Sequence, residues 1–302
     1  RYALREMTVP AIARPNEFTS SAARFDDLEL WLGYRPFDTT WRPTDHEVPT
    51  ACWVKYEFPE QFRVELPESS SFLGTTFSYN MTGAGLPTLT LENKAFIEVE
   101  SSLNRPLEWF HNFFADFERL LQLLSGHPMR LKQFRVNVGR NTGPTHEFSE
   151  HVSHGQCADV YFAGSDRGEA CLRTMNDVLL PFEAISELVP SILRAYFESP
   201  SIRTATDLFS TADANRQQFS ERDFLITLQA LEVFSRAVDA GYYATEESYA
   251  PIANQLIAAI PDTVASDFRA SLRNRIRYAR EYSLNTRLRR MIHRLTPETQ
   301  QL

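Results

Sequence analysis

AFIEVESSLNRPLEWFHNFFADFERLLQLLSGHPMRLKQFRVNV, residues 95–138, reads as a strand, a long helix and a second strand. Its opening residues alternate Ala95, Ile97 and Val99 against Phe96, Glu98 and Glu100, the period of a strand with two unlike faces. Asn104 offers a capping oxygen and Pro106 suits a first turn that has no N–H to lose, so a helix is predicted over Pro106–Ser125. Phe110, Phe113, Phe114, Phe117, Leu120, Leu121 and Leu124 then repeat at helical spacing, and Gly126 and Pro128 stop the run. About 20 residues at 1.5 Å each make a rod of roughly 30 Å. A stripe of that size has to be covered. Strands, including KQFRVNV at 132–138, are expected to cover it.

The flanking sequence fits such a sheet. Residues 1–24 are polar and carry Pro10 and Pro15, and are expected to form an extended lead-in. FDDLELWLG (25–33) sets Phe25, Leu28, Trp31 and Leu32 on one face of a short helix. ACWVKYEF (51–58), QFRVEL (61–66), FLGTTFSY (72–79), LPTLTLE (86–92) and ADVYFAG (158–164) read as further strands, separated by Pro, Gly and Ser. From about Cys171 the period turns helical. Helices are predicted at 172–180, 182–197, 201–210, 221–240, 246–259, 261–279 and 286–294. The fold class is α+β: a β-rich N-terminal domain at 25–168, a helical bridge at 169–218 marked by Pro181, Pro190 and Pro200, and an all-α domain at 219–302.

Composition narrows the function. The 302 residues carry a net charge of −8, which argues against nucleic-acid binding over the whole surface but permits a local basic face. No run of about 18 apolar residues predicts a membrane span. Cys52, Cys157 and Cys171 are odd in number and scattered, as expected in a reducing cytoplasm rather than in a disulfide framework.

Two constellations carry chemistry. His146, His151, His154 and Cys157 could ligate zinc, but their spacing matches no structural zinc motif and the segment reads as a polar loop. No cofactor is therefore expected, and a zinc-dependent hydrolase is the last of the alternatives. The second is basic: between Ala265 and Arg294, nine arginines against Asp267 and Glu281 leave +7. At 100° per residue Arg269, Arg273, Arg277 and Arg280 share one face, beside an apolar stripe of Phe268, Leu272, Ile276 and Ala279. Leu288, Met291 and Leu295 fall out of phase with that stripe, which predicts a break near 281–286 with Asn285 or Thr286 capping a new helix. Guanidinium forks match phosphates, so this face could hold a nucleic-acid backbone; a solvated face paired with acidic surface is the alternative. In the helix at 221–240, Phe224, Leu228, Leu231 and Val238 form the expected buried stripe, with Glu232 and Arg236 paired on its flank.

The segment ENKAFIEVESSLNRPLEWFHNFFADFERLLQLLSGHPMRLKQFRV resembles the N-terminal domain of ApeA-type bacterial defence proteins. RDFLITLQALEVFSRAV and RNRIRYAREYSLNTRLRRMI resemble the HEPN domain that follows it in that family. The resemblance implies a metal-independent endoribonuclease of abortive infection against phage. It implies dimerisation through the HEPN domain, an N-terminal domain that senses a phage protein, and RNA as substrate. The RNA-facing residues would be Arg269, Arg273, Arg277, Arg280 and Arg287, supported by Glu232, Arg236 and Asn285. The family motif is R-x(4–6)-H on a late helix, with His assisting proton transfer from the RNA 2′-hydroxyl and Arg stabilising phosphate charge. Arg140…His146 fits the letters in a Gly-Pro loop, and Arg287…His293 has the spacing on a helix but Leu288 where a polar residue is expected. The catalytic pair is accordingly expected beyond Leu302, with Arg287 and His293 as the candidates inside the chain. A non-catalytic RNA-binding or phage-sensing module is the alternative function.

Overall fold

The computed structural model describes residues 17–41, 52–82, 90–137, 157–160, 174–213, 220–239 and 241–294. It divides into two units, Arg1–Thr206 and Asp207–Leu302. Its strands are β1 (Glu17–Phe25), β2 (Phe37–Trp41), β3 (Cys52–Tyr56), β4 (Arg63–Leu66), β5 (Ser71–Thr82), β6 (Thr90–Pro106), β7 (Leu131–Asn137) and β8 (Cys157–Val160). Its helices are α1 (Leu28–Leu32), α2 (Leu107–Ser125), α3 (Phe182–Ile185), α4 (Val189–Glu198), α5 (Pro200–Asp213), α6 (Glu221–Val238), α7 (Glu246–Ala258), α8 (Ser266–Tyr278) and α9 (Leu284–Arg294). The α+β class is as the sequence implied.

In the first unit six strands form one antiparallel sheet in the order β4-β5-β6-β1-β7-β8, with β2 and β3 as a separate ribbon. The register explains the alternation of the opening stretch. One row across all six strands reads Val64, Leu73, Val99, Ser21, Val136 and Ala158; it lies on the face that α2 covers. The next row, on the opposite face, reads Arg63, Gly74, Glu98, Ala22, Arg135 and Asp159.

α2 buries the whole predicted stripe, from Phe110 to Leu124. Each such side chain contributes about 1.5–3 kcal/mol on leaving water. Phe114 meets Phe25 of β1 and Phe134 of β7, while Phe113 stacks on Phe197 of α4 at 4.3 Å. The Tyr196 hydroxyl of α4 donates to the Asp116 carbonyl at 2.8 Å. At the far end Gly126 turns at φ 73°, and its N–H closes on the Gln122 carbonyl. The amides of Leu179 and Leu180 then donate to the Ser125 and Leu124 carbonyls, so a distant segment completes the helix end.

Several expectations are corrected. Glu17–Phe25 is no lead-in but a central strand between β6 and β7: its Ala23 and Phe25 join the apolar core, and Ser21 is buried beside them with its hydroxyl donating to the Arg135 carbonyl. Phe25 consequently belongs to β1, and α1 is shorter than predicted. The two strands predicted around 86–101 are one strand, because β5 pairs with it without interruption past Asn93 and Lys94. β6 runs on to Pro106, so Asn104 does not cap α2; Pro106 itself is the cap residue and provides no side-chain bond. In place of a helix at 172–180, the described part holds one turn at Met175–Asp177, after which Leu179 and Leu180 donate their N–H groups to the end of α2. The predicted bridge is divided: Ile185, Val189, Leu193 and Tyr196 belong to the first unit's core. Its remaining boundary is the unit division after Thr206. β2 carries polar Asp38, Thr39 and Thr40, which hid it from a search for alternation.

Glu98 is the strained position of the open sheet face. Its direct cross-strand neighbours, Gly74 and Ala22, offer no partner. Burial, and then the like charge of Glu100, raise its pKa to about 7, against the opposing pull of Arg135 and Arg63. Arg63 is engaged by Glu100 at 2.7 Å, and the Arg135 guanidinium lies over the Phe96 ring at 3.8 Å. A carboxyl raised in the folded state stabilises most when protonated. Its contribution is complete below the unfolded value, near 4.5, and is lost as pH rises through 7. Urea melts of the wild type and Glu98→Gln at pH 4 and pH 8 should therefore coincide at the lower pH and separate at the higher. The Gln variant should be the more stable there, by up to about 3 kcal/mol.

Candidate nucleic-acid interface

In the second unit the arginine-rich stretch folds into two helices, as its phase shift predicted. α8 ends at Tyr278 and α9 begins at Leu284. The cap of α9 is Ser283 rather than Asn285 or Thr286: its hydroxyl accepts from the Thr286 N–H at 3.3 Å. Asn285 is exposed in the first turn. α6 packs on α9 and α7 on α8, with the Tyr249 hydroxyl donating to the Ile276 carbonyl.

The nine arginines do not act alike. Arg287 is 2 % exposed. Its guanidinium donates to three carbonyls: Tyr282 at 3.2 Å, Gly241 at 3.4 Å, and Asp239 at the end of α6. Nearby, the Asp239 carboxylate accepts from the Gly241 N–H at 3.0 Å and pairs with Arg290 at 3.3 Å and Arg294 at 3.2 Å. These cations offset a carboxylate placed at the negative end of a helix. Tyr282 and Tyr243 lock the same junction, with Tyr282 N–H on the Gly241 carbonyl and Tyr243 N–H on that of Arg280. The approach is close enough that a Cβ on Gly241 would collide with the Tyr282 ring.

Arg269 holds the turn before α8, donating to Asp262 at 3.1 Å and to the Pro261 and Val264 carbonyls. Arg280 pairs with Glu246 at 3.3 Å and covers the Tyr242 ring. Arg236 bridges Glu232 and Glu281, both at 3.2 Å, so this pair extends to the turn after α8. What remains is the basic face proper. Arg273, Arg275 and Arg277 on α8 and Arg289 on α9 are exposed, with no ion pair or side-chain hydrogen bond to the described residues.

A family model for ApeA N-terminal domain 1 matches residues 13–194, more than half of the chain. The chain belongs to that family. A second model, Apea-like HEPN, matches residues 225–301 and so spans α6 to α9 and the whole basic face. No curated protein and no solved structure matches the chain.

For this ApeA-type HEPN chain, the geometry sorts the predicted residues. Arg273 and Arg277 stand free on one face; Arg269 and Arg280 are drawn into ion pairs beside them. Arg287 is a buried clamp, its guanidinium taken up by three carbonyls rather than presented beside Arg273 and Arg277. His293 is exposed, and at 100° per residue it stands about 120° round α9 from Arg287, so the two do not converge. Arg275 lies off the face shared by Arg269, Arg273, Arg277 and Arg280, and Arg289 stands on α9; both are exposed, and α8 buries no residue at all. His146, His151, His154 and Arg140 lie outside the described residues, and Cys157 begins β8. Among the described residues no group of three metal-ligating side chains converges.

Removing the clamp should be costly. Arg287→Ala removes the guanidinium from three carbonyls, of which Gly241 alone keeps the Tyr282 N–H, and should destabilise the helical unit by roughly 2–4 kcal/mol in chemical denaturation. Arg287→Lys should recover little, since an ammonium cannot span all three carbonyls, and His293→Ala should melt like the wild type.

Proposed function

We propose that this chain is an RNA-directed HEPN protein of bacterial phage defence, in which the first unit senses a phage trigger and the helical unit cleaves RNA. The observation that carries the reading is the free Arg273, Arg275 and Arg277 on α8, within the matched HEPN region of a chain that is acidic overall. Arginines left unpaired on one helix are suited to phosphates, which they bind in forked geometry and release at high salt. Cleavage in this reading needs no metal: a histidine would assist the attack of the 2′-hydroxyl and an arginine would stabilise the phosphate. The chain's own Arg287 and His293 do not form such a pair. A module that binds RNA through the same free arginines without cutting it is the second reading.

Both readings include a homodimer through the helical unit. Phe224, Leu231 and Val238 recur every seven residues along α6, the spacing of a helix–helix seam, and they are 53 %, 37 % and 48 % exposed. Such a stripe, predicted as buried, is covered by a second copy in the proposed assembly. Leu231→Glu should therefore convert a dimer to a monomer in sedimentation equilibrium; a wild type that is monomeric at all concentrations removes this part of the reading.

RNA turnover in EDTA, with and without phage lysate, separates the functions. Cleavage that Arg273→Glu/Arg277→Glu weakens at least tenfold supports the ribonuclease. Retention of intact RNA, lost in the same variant, supports the binding module. Activity restored only by zinc would instead bring back the histidine-loop hydrolase.

A further inference from the structure

α8 leaves most of its circumference in solvent. Leu272 and Ile276 are half-buried, Arg269 and Arg280 are held in ion pairs, and the other side chains from Ser271 to Ala279 are exposed. Tyr278 is one of them. It is 68 % exposed, and neither its hydroxyl nor its ring contacts a partner among the described residues. At 100° per residue it lies about 60° from Arg275 and about 100° from Arg277, so its ring stands between two free guanidiniums. A second exposed aromatic, Phe268, lies about 15 Å back along the axis on the Arg275 side.

Three free cations would suit any polyanion, duplex or single-stranded. An aromatic ring presented between them adds a different requirement, because a base can stack on it only when its own face is not already stacked in a helix. We propose that α8 takes single-stranded RNA, with phosphates on Arg273, Arg275 and Arg277 and an unstacked base on the ring of Tyr278. The inference rests on the RNA-binding reading of α8 and names the kind of RNA and the residue that selects it. Tyr278 acts here as a specificity residue in binding, and no bond-making step is assigned to it.

The test is fluorescence anisotropy of the full chain with three probes: a labelled 12-nucleotide single-stranded RNA, its duplex, and inorganic polyphosphate as competitor. Tyr278→Ala should weaken single-strand binding about five- to hundredfold and leave the duplex and polyphosphate unaffected. Tyr278→Phe, which keeps the ring, should bind like the wild type. The dependence of log affinity on log salt should be unchanged by Tyr278→Ala, and shallower by about 0.7 for each phosphate-contacting arginine removed. Circular dichroism of each variant checks that the helices persist. If Tyr278→Ala binds the single strand as the wild type does, or loses all three probes equally, the stacking assignment is overturned while the arginine face stands. If the wild type binds no RNA and Arg273→Glu/Arg277→Glu is indistinguishable from it, the RNA-binding reading itself falls.

Discussion

The first unit depends on one constraint: α2 is apolar round more of its circumference than a sheet alone can cover. Phe114 and Phe117 face β1 and β7 side chains, but Phe113 points elsewhere and stacks on Phe197. Covering it requires α4, which also lies against β4 through the Arg194 guanidinium on the Glu65 carbonyl. The unit therefore extends well past its last strand. The family match ending at residue 194 falls inside α4, just before Tyr196 and Phe197, which complete that cover. The same demand draws β1 into the centre of the sheet, since β6 and β7 do not pair with each other and need a strand between them.

The second unit is held differently. Its buried apolar residues on α6 and α7 are the small Ala230 and Ala253, and its most buried polar ones are Ser235, Asp223 and Arg287. Large side chains such as Phe224, Ile252, Leu256 and Phe268 stay about half exposed. With so little apolar surface removed from water, hydrogen bonds to charged groups carry more of the cohesion, at about 1.5–3 kcal/mol each. Arginine suits this role because one planar fork reaches several carbonyls at once. The consequence for reading function is that a basic run contains two populations, those that close helix ends and those that face solvent.

Which arginine belongs to which population was not legible in the sequence. The break between α8 and α9 was, because Leu288 and Met291 leave the phase of Leu272 and Ile276. The stripe of α2 was legible for the same reason, being long and uniform in period. What periodicity could not convey is tertiary: Arg287 is buried because the carbonyls of Asp239 and Gly241, more than 45 residues earlier, lie in its path. Likewise Phe224, Leu231 and Val238 were rightly read as one stripe of α6, yet period says only that residues share a face. It does not say that the same chain covers that face. β1 was missed because four of its nine residues are Ser or Ala, whose burial follows from neighbours rather than from their own hydrophobicity.

The clamp and the basic face are coupled through a short path. Residues 280–282 join the end of α8 to the turn before α9, and they are zipped to Gly241 and Tyr243 while Arg287 holds the Tyr282 carbonyl. At the other end, Arg269 fixes the turn that leads into α8. α8 is thus secured at both ends by arginines held in ion pairs and carbonyl contacts, and its middle carries three that are unpaired among the described residues. Two of these, Arg273 and Arg277, stand one turn apart on a rigid element, so a polyanion meets charges whose positions are already set. Less ordering is then lost on binding than with cations on a loop. The paired arginines also keep acidic side chains occupied: Asp262, Glu246, Glu232 and Glu281 are each engaged, which leaves none of them to neutralise the exposed guanidiniums. The arginines that build the unit are therefore the reason that the remaining ones stay available.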